Sequence, residues 1–489
     1  MSARQLARRL APSIGLVPGP VTHVERVYLD TVDWRLFRRG EVLVDESDAS
    51  AERSLVLQSR TTDRSDLVVR ASSRPTRAND LPGGLRDRLA PVVEPRPLVD
   101  VGHERAEVWP LRMIDADGKT IARVDVERVE CDDVDVIVRV HLRAVRGYDR
   151  ITRQMRAALD AQADLSTADD PVVFAARAKG SEPGLDRSPA PLRLDRAGRS
   201  VDALAAVLGH QLDTLVACED GARRQLDPEQ LHDFRIAIRR TRSVVRLARP
   251  HLSDDLAKVW ESEWEWLATI TSTPRDLDVL VDEITVARAH LPTESKPGLD
   301  ELEELVRARR GVAQSVLTAA LDGDRYGTLK RGWRVGIGDL AAAHSDPGTT
   351  SAIAADLVAR ATRQLVRRAE AVTVDTPIDA IHDVRKRTKR LRYALDLFES
   401  VLDRRATKAS QRATKRLQDD LGAFQDNVVY HARMTELLAE SSGLAPDTLL
   451  VAQELIATFD SRVASARREL PTQLARYVEE TSAATDRRP

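Results

Sequence analysis

One segment of this chain occurs twice. LHDFRIAIRRTRSVVRLARP at 231–250 aligns without a gap on IHDVRKRTKRLRYALDLFES at 381–400, at an offset of 150 residues. The offset pairs His232 with His382, Arg235 with Arg385, Arg239 with Lys389 and Arg242 with Arg392, and further along it pairs Asp276 with Asp426. A register kept over that distance predicts a duplicated structural unit. Both copies carry helix-start signals, Asp227-Pro228-Glu229-Gln230 and Thr376-Pro377-Ile378-Asp379, an N-cap side chain followed by a proline in the first turn.

At about 100° per residue, His232, Arg235, Arg239, Arg242 and Arg246 form one narrow stripe, with Phe234, Ala237, Ile238, Thr241, Val244, Val245 and Ala248 opposite. His382, Arg385, Lys389 and Arg392 repeat the stripe against Val384, Leu391, Ala394, Leu395 and Phe398, with Arg387 intruding on the apolar face and Asp396 at the stripe's end. From His232 to Arg242 is about 15 Å along the axis. Such a row of cations repels itself unless an anion or carboxylates compensate. Arginine forks match phosphate oxygens, and a linear polyanion satisfies the whole row at once. The plainer alternative is a solvated charged face paired at i, i+4, as Asp383 and Arg387 allow. The recurrence of the stripe, free of interleaved acids over three turns, favours the anion site.

Around this repeat the chain reads as multidomain α+β. Short alternating segments, THVERVYLDT, EVLVDE, SLVLQSR, DLVVRAS, TIARVDVERVE and DVDVIVRVHLRAV, predict an antiparallel β-rich domain over 1–178 with a helix at 149–163. Residues 179–199, rich in Pro, Gly and charge, read as a linker. An all-α domain follows over 200–482, with helices expected at 201–218, 228–249, 253–270, 276–290, 298–321, 351–372, 377–402, 407–421, 424–440 and a broken 445–480, and with DPGTT at 346–350 separating two halves. The 75 Lys plus Arg are balanced by 77 Asp plus Glu, so any basic site is local and a general DNA-coating role is disfavoured. Two distant cysteines, Cys131 and Cys218, make neither a disulfide framework nor a metal cluster. No signal-peptide or membrane-spanning pattern is legible; the expectation is a cytoplasmic protein without membrane contact.

With these residues in hand, the helical part resembles the CHAD family, the conserved-histidine α-helical domain. The resemblance rests on His-x-x-Arg-x-x-x-Arg/Lys-x-x-Arg occurring twice, with TSTPRDLDVL at 271–280 and LGAFQDN at 421–427 following in order, over about 201–480. It implies two pseudo-symmetric helical bundles, basic helices lining a central pore, binding of inorganic polyphosphate and association with polyphosphate granules. It carries ligand roles to His232, Arg235, Arg239, Arg242, His382, Arg385, Lys389 and Arg392. Arg246, Lys386, Tyr393, Arg363, Arg367, Lys408, Arg412, Lys415 and Arg416 are further candidates for the same channel.

The N-terminal part resembles, more faintly, the CYTH or triphosphate-tunnel family through YLDTVDWRLFRRGEVLVDE at 28–46 and SLVLQSR. It departs from that family where the chemistry would sit. The Glu-x-Glu-x-Lys signature is absent, Asp45 and Glu46 stand where basic residues belong, Gln58 replaces a lysine, and Ile137, Arg139 and His141 replace carboxylates. Metal-assisted triphosphate chemistry needs clustered carboxylates, so the expectation is a degenerate tunnel with no catalytic residues, no metal and no cofactor. Asp125 and Glu127 are read as isolated strand-surface acids. Two alternatives stay open: a triphosphate-hydrolysing or nucleotide-processing enzyme in the N-terminal domain, and single-stranded nucleic-acid binding. The second is disfavoured because only Tyr393 lies beside the stripe to stack bases.

Overall fold

The computed structural model describes residues 2–48, 52–60, 67–131, 134–145, 147–162, 164–184, 188–225, 227–252, 254–342 and 348–485, the side chains of 254–259 and 483–485 aside. Parts of the expected linker (185–187), separator (346–347), strands (66 and 133) and helices (163 and 253) lie outside these residues. The chain divides into two compact units, Met1–Arg187 and Ser188–Pro489.

The first unit runs α1 (Ala3–Ser13), β1 (Val17–Pro18), β2 (Thr22–Asp30), α2 (Arg35–Arg38), β3 (Glu41–Asp48), β4 (Arg53–Ser59), β5 (Leu67–Arg70), α3 (Gly83–Val93), β6 (Val99–Ile114), β7 (Thr120–Glu130), β8 (Ile137–Arg143), α4 (Asp149–Asp160) and α5 (Pro171–Ala178). The strands form one sheet in the order β5-β4-β3-β2-β6-β7-β8, with β1 on β6, antiparallel throughout. The expected strands are present; β6, the longest, is absent from the sequence reading. Its charged run His103-Glu104-Arg105 hides the alternation, because Glu104 points inward and is fully buried.

That inward charge corrects the reading of the acids. Glu127 is fully buried and Asp125 nearly so, neither isolated nor on the strand surface. Arg26 donates to Glu104 (2.9 Å), Glu127 (2.7 Å) and Glu46 (2.7 Å), and Arg139 donates to Glu104 (2.6 Å) and Glu127 (2.7 Å); Asp125 takes Arg143 at 2.6 Å. Burial opposes ionisation of Glu127, yet the two guanidiniums outweigh it and hold its carboxyl down at about 2. Two arginines and two glutamates thus neutralise one another inside the sheet. Breaking such a buried pair strands a charge in low dielectric, so Glu127→Gln is expected to destabilise the β-rich unit by about 3–5 kcal/mol, read as a lowered denaturation midpoint of that unit.

The second unit is all-helical: α6 (Ser200–Arg224), α7 (Pro228–Ala248), α8 (Asp254–Ile270), α9 (Ser272–Arg288), α10 (Lys296–Asp322), α11 (Asp324–Ala342), α12 (Thr350–Ala369), α13 (Ile378–Leu397), α14 (Arg404–Glu440) and α15 (Pro446–Thr485). The duplication extends over the whole unit. Ser200 and Thr350, Pro228 and Ile378, Asp254 and Arg404, and Lys296 and Pro446 each open a helix at the same 150-residue offset. The copies differ in continuity. The first copy breaks between α8 and α9 at Thr271, where Pro274 has no N–H to offer the Ile270 carbonyl; Thr271 Oγ1 turns back onto Leu267 O (2.9 Å). The counterpart of Pro274 in the second copy is Phe424, and α14 runs on unbroken, where the sequence reading expected two helices. Likewise α15 is continuous through Pro471, against the expected break, with Leu470 and Leu474 buried on either side. The helix α11, absent from the sequence reading, is anchored by Tyr326 and by Trp333, which packs against Trp260 (4.2 Å) and Trp264 (5.0 Å).

The expected apolar faces of α7 and α13 are buried in one core shared by both copies. Asp227 caps α7 by accepting from Glu229 N at 2.7 Å. The matching cap on α13 does not form: Thr376 Oγ1 accepts from Thr373 N (2.8 Å) instead, and Pro377 precedes the helix without a side-chain cap.

Candidate anion-binding site

The two basic stripes converge. With α7 and α13 in contact, Arg239 of α7 lies within electrostatic reach of both Arg385 and Lys389 of α13, and Arg235 within reach of Lys389. Burial, then Arg239 and Arg385, push the Lys389 ammonium down to about 6. Burial and Arg239 likewise push Arg235 down to about 9, so that it stays charged at neutral pH. Arg235 is buried, with a 3.4 Å hydrogen bond to Thr271 Oγ1. Among the described residues no carboxylate lies within ion-pair distance of Arg239 or Lys389.

Acids flank this centre. Asp426 of α14 accepts from Arg385 (2.9 Å) and so orients it. Its repeat mate Asp276 accepts instead from Arg433 (3.4 Å) and acts on Arg235 only at longer range. At the outer ends Arg242 meets Glu265 (3.0 Å), while Arg392 meets Gln418 Oε1 (2.9 Å) and Asp396 (3.7 Å). The rows are therefore compensated at their tips and at Arg385, and among the described residues carry no ion-paired acid at Arg239 or Lys389. An array so arranged attracts a multivalent anion to its centre, because each phosphate oxygen there relieves cation–cation repulsion as well as forming charge-assisted bonds.

Both stripe histidines are held below the ordinary imidazole range. Burial first, then Arg275, push His232 down to about 4. His382 is lowered by burial and by Lys386, Arg385 and Lys389, against the opposing pull of Gln425, whose Oε1 lies 2.8 Å from its Nδ1. Without a ligand both rings are neutral at pH 7, each a donor through one nitrogen.

Arg275 and Gln425, each beside a stripe histidine, escaped the sequence reading. The 150-residue offset pairs them with one another; extending the alignment one residue upstream of Asp276 and Asp426 is the signal that finds them. Of the additional candidates, Tyr393 is buried with Arg240 over its ring at 5.7 Å, and Lys386 is exposed beside His382. Lys408 and Lys415 lie on the sector of α14 that carries Gln411, Gln418 and Asp426, with Lys415 bonded to Asp419 (2.7 Å). Arg416 turns away from the channel to Glu480 of α15 (2.5 Å), and Arg412, one turn earlier, shares that flank. Arg363 and Arg367 stand apart too: their helix faces α13 through Gln364 and Arg368, which meet Arg390 and Asp383 on the flank away from the stripe. Among the described residues no group of three or more His, Cys, Asp or Glu side chains is placed to hold a metal ion.

Residues 206–435 match the family model described as the CHAD domain. The helical unit of this chain belongs to the CHAD domain family. Members of this family are linked to polyphosphate binding. The crystal structure of the CHAD domain from the plant Ricinus communis is similar in fold, with a TM-score of 0.51 and 24% identity over 60% of this chain and 96% of that one. PptA from Streptomyces chartreusis matches with a TM-score of 0.43 and 18% identity over 57% of this chain and 100% of that one. No curated protein matches. The antiparallel sheet ahead of the CHAD domain is consistent with a CYTH-like fold.

Proposed function

We propose that the CHAD domain binds inorganic polyphosphate between α7 and α13, and that the chain acts as a binding protein at polyphosphate granules in the cytoplasm rather than as an enzyme. The observation that carries this reading is the convergence of Arg235, Arg239, Arg385 and Lys389 with no carboxylate at Arg239 or Lys389 among the described residues. A chain of phosphates supplies the missing negative charge along the whole row. Single-stranded nucleic acid would also supply it, but base stacking needs a free aromatic face, and Tyr393 is buried beneath Arg240. No cofactor or metal enters this reading. The β-rich unit is proposed to be inert as a triphosphatase because Arg26 and Arg139 occupy Glu104 and Glu127, two of the buried carboxylates of its sheet.

The test is retention of the whole chain on immobilised long-chain polyphosphate. Binding is expected at low salt and should fall steeply as salt rises, since each phosphate contact releases counterions. RNA at matched phosphate concentration is expected to compete poorly. Absence of retention at low salt, or equal competition by RNA, overturns the ligand assignment. Metal-dependent release of phosphate from triphosphate by the same protein overturns the non-enzymatic reading.

A further inference from the structure

The duplication that builds the cleft is broken in charge at its two ends. Beyond Arg242 the α7 stripe continues to Arg246, which is half-exposed, and Arg246 acts electrostatically on both Arg242 and Arg390. Around that point, among the described residues, two carboxylates each serve two guanidiniums. Glu261 is shared by Arg246 (4.0 Å) and Arg249 (3.8 Å), and Asp383 by Arg387 (2.9 Å) and Arg368 (3.0 Å). Between them Arg390 is 9% exposed, and its hydrogen bond to Gln364 Oε1 is 3.5 Å long. Burial first, then Arg246 and Arg387, push its guanidinium down to about 10. No carboxylate lies within ion-pair distance of Arg390 among the described residues.

The other end inverts this. The 150-residue offset places Asp396 where Arg246 stands, Glu399 where Arg249 stands, Ala237 where Arg387 stands and Arg240 where Arg390 stands. There Arg240 has its carboxylate, Asp396, at 3.9 Å, and Gln411 bridges Asp396 (3.2 Å) to Glu399 (3.4 Å). A like-charge cluster at one end thus corresponds to a neutralised, acid-capped one at the other.

We propose that Arg246, Arg387 and Arg390 form an additional anion subsite, contiguous with the central cleft through Arg242, that takes the further phosphates of a long chain. It rests on the reading of the cleft as a polyphosphate site. At the acid-capped end Asp396 already meets Arg240 and Arg392, so that end attracts the same chain less and a bound polyphosphate leaves the domain over the other. Tripolyphosphate fills the centre without reaching the subsite; long chains engage both, and linking the two sites makes the second binding event intramolecular.

The experiment transplants the acidic end. The whole chain carrying Arg246→Asp with Arg387→Ala, the residues the mate positions already hold, is titrated with tripolyphosphate and with long-chain polyphosphate at two salt concentrations. Relative to wild type, long-chain affinity is expected to fall about tenfold for each guanidinium–phosphate bond removed, with a shallower salt slope, while tripolyphosphate affinity falls by a much smaller factor. Equal losses for both ligands, or none for either, overturn the subsite. The milder Arg246→Gln variant, checked by its melting profile, is expected to show the same long-chain selectivity and guards against a folding defect. A changed sedimentation coefficient with unaltered long-chain affinity would make this end an interface between copies of the chain and overturns the proposal. If wild type binds neither phosphate ligand, the function proposed for the cleft itself fails.

Discussion

Reversing the two central cations together, Arg239→Glu with Lys389→Glu, is expected to lower polyphosphate affinity at least about a hundredfold and to abolish retention on the immobilised chain. The magnitude follows from where these side chains sit. Arg239 and Lys389 lie at the convergence of the stripes, and among the described residues neither has an acid partner to fall back on. The variant places two carboxylates where phosphate oxygens would approach. Fold stability provides the internal control. In the free protein burial, Arg239 and Arg385 already disfavour the charged form of Lys389, so replacing it removes no charge that stabilises the fold. Lys389→Met is accordingly expected to melt no lower than wild type while binding more weakly. Wild-type retention by the double-reversal variant would remove the site from the centre of the cleft.

The second large effect is on pH dependence. In the free protein Lys389 is held down to about 6, so above that pH the amine is mostly neutral. Phosphate oxygens beside it favour the ammonium and return its proton affinity toward that of an ordinary lysine. Binding above pH 6 therefore takes up a proton. The bound state gains fully below the free-state value, and the gain is lost as pH rises toward the bound-state value. Polyphosphate affinity is expected to weaken with rising pH from about 6 upward, by up to about tenfold per unit. Ionisation of His232, held down to about 4, and of His382, also lowered, has the same sign at lower pH. Titration calorimetry in buffers of different ionisation enthalpy measures the uptake directly, and Lys389→Arg, always charged, is expected to flatten the profile. A flat wild-type profile, or tighter binding at high pH, contradicts the assignment of Lys389 to the ligand.

Much of the helical unit is legible in the sequence because helix signals are local. The 3.6-residue period gives both faces of α7 and α13, and the repeat extends the argument to their neighbours. What the sequence reading misses depends on partners far along the chain. That Arg416 turns to Glu480 rather than to the channel is set by the packing of α14 on α15. That α14 stays whole where α8 and α9 part turns on one proline, Pro274, against Phe424. In the β-rich unit the loss is greater. Strand alternation identifies which residues share a face, but not that Arg26, from β2, reaches acids on β6 and β7. A buried Glu104 reads in sequence as a surface residue and conceals a whole strand.

The core beneath the cleft has a consequence for dissecting the protein. Phe234, Ile238 and Val245 from one copy and Val384, Leu391 and Phe398 from the other belong to a single apolar interior. Cutting the chain between α11 and α12 would therefore not yield two weak binders of half the capacity. Each fragment would bare the oily side of its arginine-bearing helix to water and lose the surface against which its guanidiniums are aligned, so ancestry by duplication has left two halves that are no longer separable.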